Sequence, residues 1–101
     1  MMEQEMSNAE IVMQLGQRFR QYRLRSALTQ EEVAQQSGVS ALTIHKFESE
    51  KAVNISLQTL LSLLRVVGQI DAVKHLLPEI PIDPEKIYKQ QKEKQRVKHG
   101  R

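Results

Sequence analysis

The chain of 101 residues contains no cysteine, which excludes disulfides and thiolate metal sites and makes a reducing compartment unremarkable. No apolar run approaches the roughly 20 residues needed to span a bilayer. The first residues, Met1-Met2-Glu3-Gln4-Glu5, are acidic where a signal peptide would be basic, so a cytoplasmic address is expected. Histidines are few and scattered (His45, His75 and His99), with no His-x-x-x-His pair and no carboxylate constellation for a metal. A glycine-rich phosphate loop is missing as well. Glu31 and Glu32 share one helical turn, but at a helix N-terminus two acids complement the helix dipole rather than form a catalytic pair. Neither enzyme activity nor a metal or cofactor is expected. Alternating β-type patterns and internal repeats are absent too, which leaves an all-α fold.

The length is that of about one domain, and a helical domain of about 60 to 70 residues folds alone on a modest core. The net charge of +3 is unevenly placed. Residues 83–101 hold seven Lys or Arg (Lys86, Lys89, Lys92, Lys94, Arg96, Lys98, Arg101) against Asp83, Glu85 and Glu93, a surplus of +4 that leaves residues 1–82 at −1. Total charge therefore says little about the globular part, and the positive surplus belongs to the tail.

Helix signals follow in order. Ser7 and Glu10 have capping-box spacing, and Ile11, Leu15, Phe19 and Tyr22 lay one apolar stripe along a helix over about 10–25. Arg18, Arg20 and Arg25 occupy its wet face. Thr29 and Glu32 form a second capping box and open a helix through Gln36, with Val33 and Ala34 inward. Gly38 suits a positive φ at the bend. Ser40 caps a third helix to about Glu48, with Ile44 and Phe47 on its buried side. Asn54-Ile55-Ser56 caps a fourth, whose stripe is Leu57, Leu60, Leu61, Leu64 and Val67, and Gly68 stops it. Asp71 is expected to cap a fifth, short helix ending at Leu77-Pro78. Pro78, Pro81 and Pro84, three apart, mark an extended connector. Asp83-Pro84 suits a helix start, with a nascent helix near residues 85–95 in an otherwise mobile basic tail. The chain thus divides into a flexible N-terminus (1–9), a helical domain (10–77) and a Pro-led connector with a basic tail (78–101).

The informative stretch runs from Thr29 to Glu48. Two short helices are joined by a tight turn, with Ala34 where they touch, Gly38 at the bend, and Val39 and Ile44 placed to lock the pair at a steep angle. That is a helix-turn-helix arrangement, whose second helix enters the major groove while the first crosses the phosphates. With Ser40 as cap, Ala41, Leu42, His45 and Lys46 lie opposite Ile44 and Phe47 and face base edges. Ala41 and Leu42 suit thymine methyls, Lys46 suits guanine O6 and N7 or a phosphate, and His45 suits either. The alternative for Leu42 is partial core packing, and for His45 an idle surface position.

Residues 15–77 resemble the Cro/CI-type (XRE) helix-turn-helix family through Leu15-Gly-Gln-Arg-Phe-Arg, Leu28-Thr-Gln-Glu-Glu-Val-Ala, Ser37-Gly-Val-Ser40, Ile44-His-Lys-Phe-Glu48 and Asn54-Ile-Ser-Leu-Gln-Thr-Leu-Leu61. The resemblance implies a compact five-helix DNA-binding domain of the lambda-repressor type followed by the flexible basic tail. It also implies no catalytic residues and a repressor on a palindromic operator in the bacterial nucleoid. Phosphate contacts are implied for Gln30, Ser40, Thr43, Lys51 and Asn54, with caps or ordinary surface residues as the alternative. A largely buried ion pair between Arg23 and Glu48 is implied as a structural link between the first and third helices. The chain departs from the family in the turn after the third helix, Ser49-Glu50-Lys51-Ala52-Val53, which has no Gly.

A single recognition helix reads only a few base pairs, so a twofold dimer is expected. Val66, Ile70, Val73, Leu76 and Leu77 either form its interface or close the monomer core. The tail, with Leu76-Leu77-Pro78-Glu79 and the Lys/Gln/Arg-rich end, is similar to HipB-like proteins that accompany HipA-type serine/threonine kinases. That resemblance implies an antitoxin that sequesters a kinase while repressing the shared operon. The plainer reading of the tail is nonspecific affinity for DNA. A further alternative is a small helical interaction module with weak or no specific DNA binding.

Overall fold

The computed structural model describes residues 5–49 and 54–99, and among these all regular structure is helical. The order is α1 (Asn8–Arg25), α2 (Gln30–Ser37), α3 (Ala41–Glu48), α4 (Leu57–Val66), a 3-10 turn (Ile70–Ala72) running into α5 (Val73–Leu76), and α6 (Pro84–His99). No described helix is long and apolar enough to cross a membrane.

Short-range chemistry sets most of the boundaries. Both capping boxes are formed: the Glu10 amide donates to Ser7 Oγ at 3.1 Å while the Ser7 amide donates to Glu10 Oε1 at 3.2 Å, and Thr29 and Glu32 do the same at 3.0 Å each way. Each box satisfies amides that a helix start otherwise leaves open. Ser40 and Ser56 cap α3 and α4 through the amides of Thr43 and Thr59. Gly38 ends α2 with φ +76°, and Gly68 follows α4 with φ +73°, the left-handed conformation that glycine adopts without a Cβ clash. At the end of α1 the same position falls to Ala27, with φ +56°. There the Ala27 amide donates to Leu24 O and the Leu28 amide to Arg23 O. These two bonds form a Schellman closure, and they hold an alanine in a region that costs about 1–2 kcal/mol for a residue with a Cβ.

Phe19, Val33, Ile44, Phe47, Leu63 and Val67 form the core. α1 packs on α3, and α2 packs on both α3 and α4. The Phe19 and Phe47 rings meet at 5.9 Å between centroids, tilted by 38°, within the range aromatic pairs prefer. α1 crosses the end of α3 at Gly16, where a Cβ would stand 2.8 Å from the Phe47 carbonyl carbon and closer still to its oxygen. Only a residue without a side chain allows that approach.

Three sequence expectations change. Leu57 is 60% exposed while Leu63, outside the expected stripe, is fully buried. The face of α4 that meets the core is Leu60 and Leu63, continued by Val67 just past the helix end, and Leu57 stands in the first turn away from it. Asp71 makes no cap: it already lies inside the 3-10 turn, whereas a capping residue must have extended backbone ahead of the helix. Its carboxylate meets Lys74 Nζ at 3.8 Å in full exposure, a pair that contributes little. Finally, the tail is helical through His99, beyond the short segment expected, with Asp83 Oδ1 accepting from the Glu85 and Lys86 amides at 3.0 and 3.3 Å.

Candidate nucleic-acid interface

The site is built on the two capped helices α2 and α3. Gly38 reverses the chain after α2, and the Val39 amide donates to Ser37 Oγ at 3.1 Å, so the turn holds its own polar groups. Val33 and Ile44 are both fully buried and fix α2 against α3 from inside. With Ile44, Phe47 and Glu48 turned inward, the remaining face of α3 has one possible direction. Leu42 is 61% exposed, so its reading as partial core packing is set aside. His45 and Lys46 are exposed beside it, and Ala41 is half-buried at the N-terminal end of the helix.

The residues expected at phosphates are placed unevenly. Ser40 Oγ accepts the Thr43 amide at 3.1 Å and donates to Thr43 Oγ1 at 2.8 Å. That leaves the Thr43 hydroxyl proton available at the edge of the helix. Gln30 is half-buried, and its side-chain amide donates inward to Glu48 Oε1 at 3.1 Å. Asn54 is exposed two residues ahead of the α4 cap. Lys51 lies outside the described residues, as does most of the turn without glycine.

Arg23 and Glu48 meet side by side: Nε to Oε2 and Nη2 to Oε1, both at 2.8 Å, with both side chains more than nine-tenths buried. A planar guanidinium matches a carboxylate in this two-pronged geometry. Arg23 Nη1 also donates to the Leu28 carbonyl at 2.8 Å, so the same guanidinium ties the α1 terminus, the following turn and α3 together. The Glu48 hydrogen bond holds the Arg23 pKa above its ordinary value, against the burial that would lower it. Among the described residues no buried side-chain polar atom lacks a partner. Sequence reading missed the Gln30 and Leu28 contacts to this pair, and no local spacing signals them. At the start of α2 the Glu32 carboxylate is held below its usual range, first by the Thr29 amide and then by the Thr29 hydroxyl.

Among the described residues no group of three or more His, Cys, Asp or Glu could hold a metal. The residues proposed for the dimer split: Val66 packs against the core and Ile70 and Val73 are half-buried, whereas Leu76 and Leu77 are exposed.

No curated protein matches the chain. Residues 14–77, more than half of its length, match the profile of the helix-turn-helix domain family. On that match, and with α2, the Gly38 turn and α3 arranged as described, the chain belongs to the helix-turn-helix domain family of DNA-binding regulators.

Proposed function

We propose that the protein is a sequence-specific repressor that binds a palindromic operator as a homodimer. One observation carries the reading: α3 is divided lengthwise, with Ile44 fully buried and Leu42, His45 and Lys46 exposed on the opposite side. A single exposed leucine means little. An apolar residue at the N-terminal end of α3, aligned with two polar side chains that can reach base edges, fits a major groove. Lys46 reads a guanine, Ala41 and Leu42 meet thymine methyls, and His45 supplies a base or phosphate contact. Ser40, Thr43 and Asn54 hold phosphates, joined by Lys51. Gln30 contributes through its place at the α2 N-terminus, where the helix dipole favours an anion.

The test is selection from random duplexes with the full chain, followed by mobility shifts of the enriched sequence over a range of salt. Two inverted half-sites and a steep fall of affinity with salt are expected. A failure to enrich any sequence, with no association at low ionic strength, overturns the reading.

The tail favours a second role alongside the first. α6 carries a basic surface, with Tyr88 exposed in its first turns, and its likeness to HipB-like proteins supports capture of a HipA-like serine/threonine kinase. Co-purification with the product of the adjacent reading frame is expected, and a kinase encoded there that does not bind would dismiss this role.

A further inference from the structure

An apolar groove of about 210 Å³ runs between α1 and α4, lined by Leu15, Phe19, Tyr22, Leu60, Leu64 and Val67, with Ala72 also beside it. For scale, an apolar cavity of about 150 Å³ takes a six-membered ring, so this groove has room for a branched aliphatic side chain. Its rim is basic: Arg18 belongs to the groove and, with Arg25, to the adjoining cleft along α1. Among the described residues no acidic one lines either cleft.

The complementary feature is on the same chain. Residues 77–83 form an arm without regular structure between α5 and α6. It presents Ile80 and Ile82, 83% and 77% exposed, flanked by the acids Glu79, Asp83 and Glu85. Apolar residues flanked by carboxylates match an apolar groove flanked by guanidinium groups. Pro78, Pro81 and Pro84 hold the arm extended, which lowers the entropy lost when it is bound. The same stiffness opposes a reversal that would bring Ile80 back to its own groove, whose lining includes Ala72 only eight residues earlier.

We infer that the arm of one copy docks in the α1–α4 groove of a second copy, Ile80 and Ile82 filling it and Glu79 and Asp83 facing Arg18 and Arg25. The inference rests on the homodimer proposed above and assigns its contact: two arms exchanged about a twofold axis.

The absence of cysteine makes the test clean. Ala72→Cys and Ile80→Cys are introduced into separately tagged full-length copies, which are mixed and treated with a short bis-maleimide. A cross-linked product carrying both tags is expected. Sedimentation of Ile80→Asp/Ile82→Asp provides the second readout. Burial of one isoleucine shifts an equilibrium by about tenfold or more, and two arms carry four, so dimer dissociation should rise by about ten-thousandfold or more with the monomer melting point unchanged. A variant that dimerises as well as the parent refutes the arm contact and leaves the homodimer standing. A parent chain that is monomeric at every concentration removes the homodimer itself.

Discussion

Glu48→Ala tests most directly whether the domain is held together as described. The Glu48 carboxylate accepts from Arg23 Nε, Arg23 Nη2 and Gln30 Nε2, and its removal leaves Arg23 charged, nine-tenths buried and, among the described residues, bonded only to the Leu28 carbonyl. Stranding one partner of such a pair costs about 3–5 kcal/mol. A domain the size of residues 14–77 is stable by roughly 3–10 kcal/mol at 0.05–0.15 kcal/mol per residue. The loss therefore takes a third of the stability or all of it. At about 4–8 °C per kcal/mol for a domain of this size, the melting midpoint should fall by at least about 12 °C, or no cooperative transition should remain. Far-UV circular dichroism on heating measures this. The companion variant Arg23→Met/Glu48→Met keeps apolar volume and strands no charge, so it should melt above Glu48→Ala. A fall of only one or two degrees for Glu48→Ala, or a double variant weaker than the single one, would refute the argument.

Gly16→Ala opposes helix propensity to packing. Propensity favours alanine by about 1 kcal/mol, but the new Cβ collides with the Phe47 backbone, so the urea midpoint should drop by the equivalent of about 2 kcal/mol or more; a rise would mean that α1 and α3 are farther apart than described. Lys46→Ala should weaken operator binding by about 1–3 kcal/mol with relaxed preference at one base pair, whereas equal weakening on every duplex would move Lys46 to a phosphate. Leu42→Asp should abolish operator binding and leave the melting point within a few degrees, because the side chain is exposed; a large loss of stability would place it in the core. Glu32 has its pKa lowered in the folded chain from an ordinary value of 4.5. Its contribution is therefore present above that value and is lost as the pH falls through the lowered one. Glu32→Gln should flatten the dependence of the melting point on pH in that acid range, and an unchanged slope would show that the Thr29–Glu32 contact does not titrate with folding.

The helix starts were legible because their chemistry is local. Ser7 with Glu10, Thr29 with Glu32, and Ser40 ahead of Ala41 each signal within three or four residues, as do Gly38 and Gly68 at the ends. The stripe Leu15-Phe19-Tyr22 and the pair Ile44/Phe47 name their buried faces by period alone. Ala27 in a left-handed turn left no such mark, since neighbouring backbone bonds and the docked Leu28, rather than its own side chain, impose that conformation. The pairing of Arg23 with Glu48 spans 25 residues and is invisible to spacing; it entered only through resemblance to a family. The candidate site was readable as far as the outward positions of α3, but the inward turn of Gln30 was not.

The sequence by itself determined where α1 to α4 start, which side of α3 is apolar, and that a tight glycine turn joins α2 to α3, because caps, periods and left-handed turns are properties of adjacent residues. Only the tertiary structure decided that α4 buries Leu63 instead of Leu57, that Gly16 is the point of closest approach between α1 and α3, and that Gln30 completes the Arg23–Glu48 cluster. These depend on how helices distant in the chain are set against one another, a relation that no window of neighbouring residues contains.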